Sequence, residues 1–382
     1  MNGGKFKLLT LLAATALVLF AVGNVLAAAQ GACVNCHTMH NSQDGTSMMV
    51  DGTAGPAPAL VRAGSCYGCH SDSTLSNGFS MATPRINVDN YGTDGTDGDT
   101  LAGGSFYWVD NGDDAKGHNV VGVAAPDSAA FGLTPPGWNP TFAANGQVNK
   151  GLETWNAQLT CAGTNGCHGD HTKADDFDAV RGGHHGGLPN GSTDGETVAT
   201  SYRFLMGVVG IEDQYWEYKP TAERHNQYFG QARTSDTQFD NKTISYLCAE
   251  CHGDFHSGAD TKGSDDDNWG APWLRHPTDL DMNTLADKGL KEYQYYNEGT
   301  GVANPYSTVA PVASNDITAT STRANIKSTV FVTSGDAIVT CISCHRAHGS
   351  LYDDLLRWEY SDMIAAGGES NEGCFVCHTT KD

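Results

Sequence analysis

The chain has 382 residues, and its 44 acidic side chains against 22 basic ones give a formal net charge of −22. This charge excludes nucleic acid and anionic membrane surfaces as partners, because binding phosphate requires clustered Lys and Arg. Apolar residues make up only 39% of the chain and there are 46 glycines, so a large aliphatic core is not expected. The 12 cysteines and 15 histidines must therefore organise the chain in another way.

The N-terminus has the residue order of a secretory signal peptide. Lys5 and Lys7 precede an apolar run over residues 8–22, and alanines occupy positions 27–29. We predict that residues 1–29 are a cleaved signal peptide, and that residues 30–382 form a single elongated, exported domain. The alternative is a retained anchor, but the run is short for a membrane-spanning helix. No later segment is predicted to span a membrane.

Ten of the cysteines occur in five identical patterns. Each pattern reads C-x-x-C-H, and composition alone predicts about 0.015 such matches in a chain of this kind. Two thiols at this spacing can add to the two vinyl groups of one haem, and the adjacent histidine can then bind the iron. Zinc is the alternative, but five identical motifs in an exported chain favour haem. The motifs are Cys33/Cys36/His37, Cys66/Cys69/His70, Cys248/Cys251/His252, Cys341/Cys344/His345 and Cys374/Cys377/His378.

The two remaining cysteines form a wider motif. Five residues separate Cys161 from Cys167, which is followed by His168. The order Cys167-His168-Gly169-Asp170-His171 matches Cys344-His345-Arg346-Ala347-His348. We predict a sixth attachment site with an enlarged loop, whose glycines allow it to bulge, and a disulfide is the alternative. The six motifs, numbered 1 to 6 in chain order, therefore predict six haem c groups with their iron.

Nine histidines remain after the six motif histidines are assigned. They are numerous enough to supply the second axial ligand of every iron, so bis-histidine ligation is predicted rather than methionine ligation. Four of them lie three or four residues after a motif histidine. This tether spans at most about 10–14 Å and cannot easily pass around the macrocycle, so each is expected to bind a neighbouring haem. The predicted distal ligands are His40, His118, His171, His256, His276 and His348, with His184, His185 and His225 as substitutes.

The predicted fold is that of a multihaem cytochrome c, mostly coil with short helices and little sheet, organised around a chain of six haems. Apolar spacing predicts helices over residues 351–366 and 281–296. Residues 90–104 are predicted to be a surface loop, and its acidic residues lack the spacing of a calcium loop. Arg275 and Arg346 adjoin predicted ligands and are candidates for salt bridges to haem propionates, with a solvated surface role as the alternative.

The string Cys36-His37-Thr38-Met39-His40-Asn41-Ser42 resembles the opening of the OmcS-like family, the hexahaem, filament-forming outer-surface cytochromes of metal-reducing bacteria. Gly117-His118-Asn119, Leu274-Arg275-His276-Pro277 and Cys344-His345-Arg346-Ala347-His348 resemble the same family. The likeness covers the order of the motifs from end to end but not the segments between them, and the motif at Cys161 departs from it. It implies a polymer with a continuous line of haems, in which His40 ligates a haem of the next subunit.

We expect an electron-transfer protein rather than an enzyme. Electrons are expected to hop along closely packed bis-histidine haems, in a conductive filament outside the cell. The expected partners are copies of the same chain, with other cytochromes or extracellular metal oxides as redox partners. The alternatives are a monomeric periplasmic carrier and a multihaem reductase with one open haem.

Overall fold

The computed structural model describes residues 32–71, 84–87, 101–127, 132–140, 155, 157–180, 203–213, 215–233, 238–256, 278–287, 296–297, 304–365 and 372–379. Most of this backbone is turn and coil, with short helices and two-stranded ladders, as the sequence predicts. The twelve cysteines all lie within these ranges, and none of them forms a disulfide.

The α-helices of the described residues have one or two turns. Helices this short are not stable alone, so side-chain caps and packing must hold them. Thr243 Oγ1 accepts a hydrogen bond from the N–H of Tyr246 at 3.1 Å, for example, at the start of the helix that leads into motif 4. None of the described helices is long and apolar enough to cross a membrane. The helices are α1 (Cys66–His70), α2 (Tyr107–Asp110), α3 (Asp176–Ala179), α4 (Ile244–Ala249), α5 (Gly253–His256) and α6 (Met282–Asp287).

Turns of 3-10 helix are as common as α-helix in the described residues, and three of them carry attachment cysteines. Such turns fit short, loop-rich connections, because they close after three residues. They are Cys33–Asn35, Pro58–Leu60, Asp114–Lys116, Gly163–Asn165, Arg323–Asn325, Cys341–Ser343, Asp353–Leu355, Tyr360–Asp362 and Gly373–Val376.

The described strands pair only in twos. Four of the ladders are antiparallel, and the ladder β3–β4 is parallel. Ladders this short bury no face of their own, so they pin loops together and do not form a layer of the fold. The pairs are β1 (Ser42–Gln43) with β2 (Thr46–Ser47), β3 (Thr160–Ala162) with β4 (Gly166–His168), β5 (Gly210–Ile211) with β6 (Gln227–Tyr228), β7 (Leu280–Asp281) with β10 (Ile338–Val339), and β8 (Asn304–Pro305) with β9 (Thr329–Val330).

The helix predicted over residues 351–366 is wrong for the part that the structure describes. Residues 351–365 contain two separate 3-10 turns, and Asp354 and Leu355 have positive φ angles of 57° and 59°. This segment is held by hydrogen bonds to residues 344 and 346 and not by the regular bonds of one helix. Arg346 N donates to Leu355 O at 2.8 Å, and Arg357 N donates to Cys344 O at 2.9 Å. The helix predicted over residues 281–296 is found only in part, as α6 over Met282–Asp287. Asp281 belongs to a strand, Tyr296 lies in a bend, and residues 288–295 lie outside the described residues.

The apolar core is divided into separate clusters. The largest contains Tyr296, Tyr306 and Trp358, and the cysteines of motifs 5 and 6 pack against it. A second cluster joins α4 to the chain around Ile338. Buried apolar side chains therefore gather beside the attachment motifs instead of forming one continuous interior.

Buried carboxylates fix the loop that leads to motif 5. Asp336, which is 2% exposed, accepts hydrogen bonds from the N–H groups of Phe331, Val332 and Thr333, each at 3.0 Å. Asp281 accepts from the N–H of Gly335 at 2.7 Å. A buried carboxylate that accepts several backbone N–H groups satisfies donors that have no strand partner. This loop then enters β10 and the turn at Cys341.

Candidate functional site

Each C-x-x-C-H motif forms one helical turn. In motifs 1, 4, 5 and 6 the N–H of the motif histidine donates to the carbonyl of the first cysteine, four residues earlier, at 2.8 to 3.1 Å. In motif 2 the turn is α1 itself. Residues four apart lie on the same face of a helix, so the first cysteine and the histidine project to the same side. Two thiols and one imidazole are thereby directed at one planar group.

Motif 3 lies on two short strands and the turn between them, and not on a single helical turn. Ala162 of β3 pairs with His168 of β4, and the turn Gly163–Asn165 joins the two parallel strands. Gly163 has a φ of +78°, and a Cβ there would lie 2.4 Å from the carbonyl oxygen of Lys173. The N–H of Thr164 donates to that same oxygen at 2.8 Å. The five-residue insert is thus a closely fixed turn that needs glycine, and it brings Cys161 and Cys167 to neighbouring strands.

The imidazoles of five motifs are oriented in the same way. In each, Nδ1 is hydrogen-bonded to a backbone carbonyl oxygen, so Nδ1 carries the proton and Nε2 keeps its lone pair. A histidine that binds iron through Nε2 needs this tautomer and a partner for the other nitrogen. The carbonyls belong to coil residues and have no sequence signature. The pairs are His37 with Ala59 at 3.2 Å, His70 with Pro84 at 3.0 Å, His168 with Arg203 at 3.2 Å, His252 with Pro136 at 2.7 Å and His345 with Asp354 at 2.7 Å. The motif residues therefore fit haem attachment.

His378 of motif 6 shares the backbone turn of motifs 1, 4 and 5. Its N–H donates to Cys374 O at 2.9 Å, and its side chain is half-buried. The structure places His378 beside its two cysteines. The assignment of His378 as an axial ligand rests on the motif and stays a prediction.

Two of the predicted distal histidines face motif histidines. The ring centroids of His348 and His168 are 6.2 Å apart, and those of His118 and His252 are also 6.2 Å apart. Two imidazoles on opposite sides of one metal, with bonds of about 2 Å each, have centroids about 6 Å apart. His118 also has its Nδ1 hydrogen-bonded to the carbonyl of Ala347 at 2.7 Å, as five of the motif histidines do. Each pair therefore has the centroid spacing that two imidazoles bound to one metal ion would have.

Backbone hydrogen bonds between three chain segments place His118 and His348 side by side. The N–H of His348 donates to Gly103 O at 2.7 Å, and the N–H of His118 donates to His348 O at 3.3 Å. Gly104 has a φ of +81°, and a Cβ there would lie 1.9 Å from Gly349 O. Three chain segments can approach this closely only because glycines line the contact.

Burial keeps the facing imidazoles neutral. It lowers the pKa of His168 and of His252 to about 4 and that of His348 to about 3, and nearby histidines add to the effect. Burial likewise lowers the pKa of His118. A neutral imidazole is the form that binds a metal ion.

The other predicted distal histidines lie in different surroundings. His40 is on the surface. His171 contacts Glu250 Oε2 at 3.0 Å through Nδ1 and Cys167 O at 3.3 Å through Nε2. His256 is 1% exposed and lies 3.7 Å from Asp279 Oδ2. His276, His184 and His185 lie outside the described residues.

His225 and Arg346 are also buried. His225 stacks on Tyr306 with ring centroids 3.5 Å apart, and its two nitrogens contact Thr221 O and Gln227 Oε1. Arg346 is 3% exposed and donates to Leu101 O at 3.1 Å. Arg275, the other predicted partner of a propionate, lies outside the described residues.

Cysteines of successive motifs lie close together. The thiols of Cys66 and Cys161 lie within 4.8 Å of each other, and a hydrogen bond between them raises the pKa of Cys66. The thiol of Cys248 is hydrogen-bonded to that of Cys341, which raises its pKa well above the usual value. Motif 2 therefore lies beside motif 3, and motif 4 beside motif 5.

In the remaining successive motifs, a cysteine of one motif is near enough to shift the pKa of a cysteine of the next. Burial and then the charge of Cys36 raise the pKa of Cys69 to about 11. Burial and then the charge of Cys374 raise the pKa of Cys344 to about 12. Burial, followed by the charge of Cys167, raises the pKa of Cys251. Each motif is thus next to the one that follows it in the sequence, from motif 1 to motif 6.

Several known proteins are similar to this chain. Residues 332–382 match the family described as doubled CXXCH motif. The chain is 27% identical to the C-type cytochrome OmcS of Geobacter sulfurreducens over 386 aligned positions, which cover 89% of this chain and 82% of OmcS. Among solved structures it is similar, at 22% identity and a TM-score of 0.48, to the outer membrane cytochrome S filament of the same organism, covering 87% of this chain and 85% of that one. A structure of OmcS nanowires from this organism gives a TM-score of 0.44 at 22% identity, covering 86% of this chain and 84% of that one. The attachment motifs, the doubled-motif match and the 27% identity to OmcS along most of the chain support an OmcS-like c-type cytochrome that carries haem c.

Proposed function

We propose that the chain carries six haem c groups and conducts electrons along them, outside the cell, as the repeating unit of a filament. The observation that carries this proposal is the pair of facing imidazole couples, His168 with His348 and His118 with His252. Each couple is spaced for one iron with both axial positions taken. A site of this kind exchanges electrons and has no open position for a substrate.

The proposed attachments follow from the six motifs. Each haem forms thioethers with the two cysteines of its motif and takes the motif histidine as one axial ligand, including His378 at motif 6. His348 is the second ligand of the haem at motif 3, and His118 is that of the haem at motif 4. The proposed second ligands of the other four haems remain His40, His171, His256 and His276, with His184, His185 and His225 as substitutes.

His40 is the proposed ligand to a second copy of the chain. Both cysteines of motif 1 are exposed, and Met39, next to His40, is 75% exposed. An exposed imidazole beside an exposed apolar side chain is suited to enter another molecule. The OmcS structures similar to this chain are a filament and nanowires. This chain is proposed to polymerise in the same way, and a retained periplasmic monomer is the alternative.

The proposed haem order follows the motif order, because successive motifs are neighbours in space. Haem supplies the reversible change between ferrous and ferric iron. The chain holds the irons at fixed spacing with paired imidazoles, and at motifs 1 to 5 the backbone carbonyls fix the tautomer at Nδ1. The surplus of carboxylates, with a net charge of −22, favours the more positive ferric state and so keeps the potentials low.

The export route completes the proposal. Residues 1–29 are removed as a signal peptide, and residues 30–382 form the mature domain, which reaches the cell exterior. Other cytochromes and extracellular metal oxides are the proposed redox partners.

The test uses the secreted fraction of a host that matures c-type cytochromes. Haem quantification after protein purification is expected to give six haems per chain, electron microscopy to show filaments, and carbon monoxide to bind to none of the reduced haems. A fully six-coordinate hexahaem monomer would support the periplasmic carrier instead. Binding of carbon monoxide to one haem of the native protein would favour the reductase.

A further inference from the structure

Arg357 is a buried cation for which the described residues provide no ion-pair partner. It is 3% exposed, and its Nε donates to Ile342 O at 2.7 Å. No carboxylate of the described residues lies within ion-pairing distance of its guanidinium. Arginine stays protonated in proteins, and a buried charge without a partner is strongly unfavourable. The part of the chain that the structure describes therefore supplies no anion for this charge.

The hydroxyl of Tyr306 is a buried, unsatisfied donor in the same region. Its side chain is 3% exposed and its hydroxyl has no hydrogen-bond partner among the described residues. Burial raises the pKa of Tyr306 well above its usual value, and Arg357 is near enough for its charge to oppose that shift. The phenol is thus always a donor. His225 stacks on the ring at 3.5 Å and holds it in place. Buried hydroxyls without a partner are rare, because each costs about 1–3 kcal/mol.

These two donors lie where motifs 5 and 6 meet. The backbone N–H of Arg357 donates to Cys344 O at 2.9 Å, and its charge also acts on His345. Tyr306 belongs to the cluster against which Cys344, Cys374 and Cys377 pack. The nearby carboxylate Glu217 already accepts a hydrogen bond from Asn226 N at 2.9 Å.

We propose that Arg357 and Tyr306 together bind a propionate carboxylate of a haem held at motif 5 or motif 6, and that they raise the reduction potential of that haem. A guanidinium and a hydroxyl can donate two or three charge-assisted hydrogen bonds to one carboxylate, which satisfies both donors at once. A positive charge next to the haem disfavours its ferric state. The proposal rests on the proposed function, because it requires haem at these two motifs.

The experiment measures potentials in the purified, fully loaded protein. In Arg357→Gln, one component of the spectroelectrochemical titration is expected to move to lower potential by about 59 mV, a tenfold change in the ferrous–ferric equilibrium constant. Tyr306→Phe, which removes only the hydroxyl, is expected to move the same component in the same direction by less. Arg357→Lys, which keeps the charge, is expected to restore most of the potential.

Two controls separate this role from a structural one. Tyr296→Phe removes a buried hydroxyl that is already satisfied, since it donates to Ala310 O at 2.8 Å and accepts from Ser307 N at 3.1 Å. It is expected to lower the melting temperature and leave all potentials unchanged. Arg323→Gln removes an exposed guanidinium and is also expected to leave them unchanged.

Unchanged potentials in both Arg357→Gln and Tyr306→Phe, with six haems present, would overturn the proposal. If Arg357→Gln does not mature, Tyr306→Phe decides alone. A native protein with fewer than six haems would instead contradict the proposed function, and haem counting shows this before any variant is made.

Discussion

The ring centroids of His348 and His168 are 6.2 Å apart, although His348 follows motif 5 and His168 belongs to motif 3. His348 is only three residues from His345, whose own Nδ1 is hydrogen-bonded to Asp354 O at 2.7 Å. One short peptide therefore connects two proposed haem sites. Any change to this peptide is expected to act on both of them.

Replacement of His348 tests the facing pair directly. In His348→Ala, the haem at motif 3 is expected to stay attached through Cys161 and Cys167 and to lose its second axial ligand. About one haem in six should become high-spin in the oxidised protein and bind carbon monoxide when reduced. Electron paramagnetic resonance and visible absorption spectra measure both effects.

His225→Gln is the matched control for this variant. His225 is also buried, but its two ring nitrogens contact Thr221 O and Gln227 Oε1. The control is expected to be less stable and to remain low-spin. A wholly low-spin His348→Ala protein would remove His348 from the ligand set, and a high-spin signal in His225→Gln would add His225 to it.

The close approach of Gly104 to Gly349 yields a second prediction. In Gly104→Ala the new Cβ would lie 1.9 Å from Gly349 O, at a φ of +81°. Gly112 also has a positive φ, of +93°, but nothing lies within 4 Å of a Cβ there. Gly112→Ala is therefore expected to cost about 1 kcal/mol from the left-handed backbone alone.

Gly104→Ala is expected to cost at least about 2 kcal/mol more than this control, because the contact that holds His348 must open. Denaturant unfolding followed by tryptophan fluorescence compares the two variants. Equal stabilities would show that the segments separate without cost, and would contradict the role assigned to the contact.

Replacement of Asp336 tests how the loop before motif 5 is held. Asp336→Ala leaves three backbone N–H groups without their acceptor and is expected to reduce the free energy of unfolding by about 3 kcal/mol. Asp316→Asn is the control, since Asp316 forms an ion pair with Lys327 and is 61% exposed. This surface pair is expected to contribute about 0–1 kcal/mol. Similar losses in the two variants would argue against a structural role for the buried carboxylate.

The wide motif 3 can be tested by mass spectrometry. A proteolytic peptide that contains both Cys161 and Cys167 is expected to carry the mass of one haem. In Cys161→Ser the haem should remain bound through Cys167 alone, and the absorption of the pyridine haemochrome should shift because one vinyl group is intact. Cys33→Ser provides the same comparison at motif 1, where the spacing is ordinary. A peptide lighter by two hydrogens and without haem would instead indicate a disulfide.

The attachment motifs and the ligand residue types could be predicted from the sequence, but few of the contacts between distant segments could. Cysteine spacing predicted the attachment motifs, and the count of histidines predicted a second ligand for each iron. The segment over residues 351–366 shows the limit. Its apolar spacing predicted a helix. In the structure, however, the N–H of Arg346 donates to Leu355 O and the N–H of Arg357 donates to Cys344 O. Tertiary hydrogen bonds outweighed local periodicity there.

Which histidines face each other could not be read from the chain. His118 lies beside His252 and His348 beside His168 only because Gly103, Gly104 and Gly117 let distant segments touch. Similarly, His171 and His348 hold the same place after their motifs, yet His171 contacts Glu250. The sequence environments of the two residues are alike, and their folded environments differ.

The carbonyl partners of the motif histidines show the same limit. These carbonyls belong to coil segments as far as 116 positions away, as Pro136 does for His252. A motif of five residues carries no information about such a partner, so only the folded chain identifies it.

The sequence by itself determined the attachment motifs of a c-type cytochrome, because thioether attachment depends on the local spacing of two cysteines and a histidine. Low apolar content likewise determined that short coil segments, and not one aliphatic core, surround the motifs. Only the tertiary structure decided which motifs are neighbours, which imidazoles lie 6.2 Å apart, and where Arg357 and Tyr306 are buried. Those relations depend on contacts between distant segments, for which local spacing carries no information.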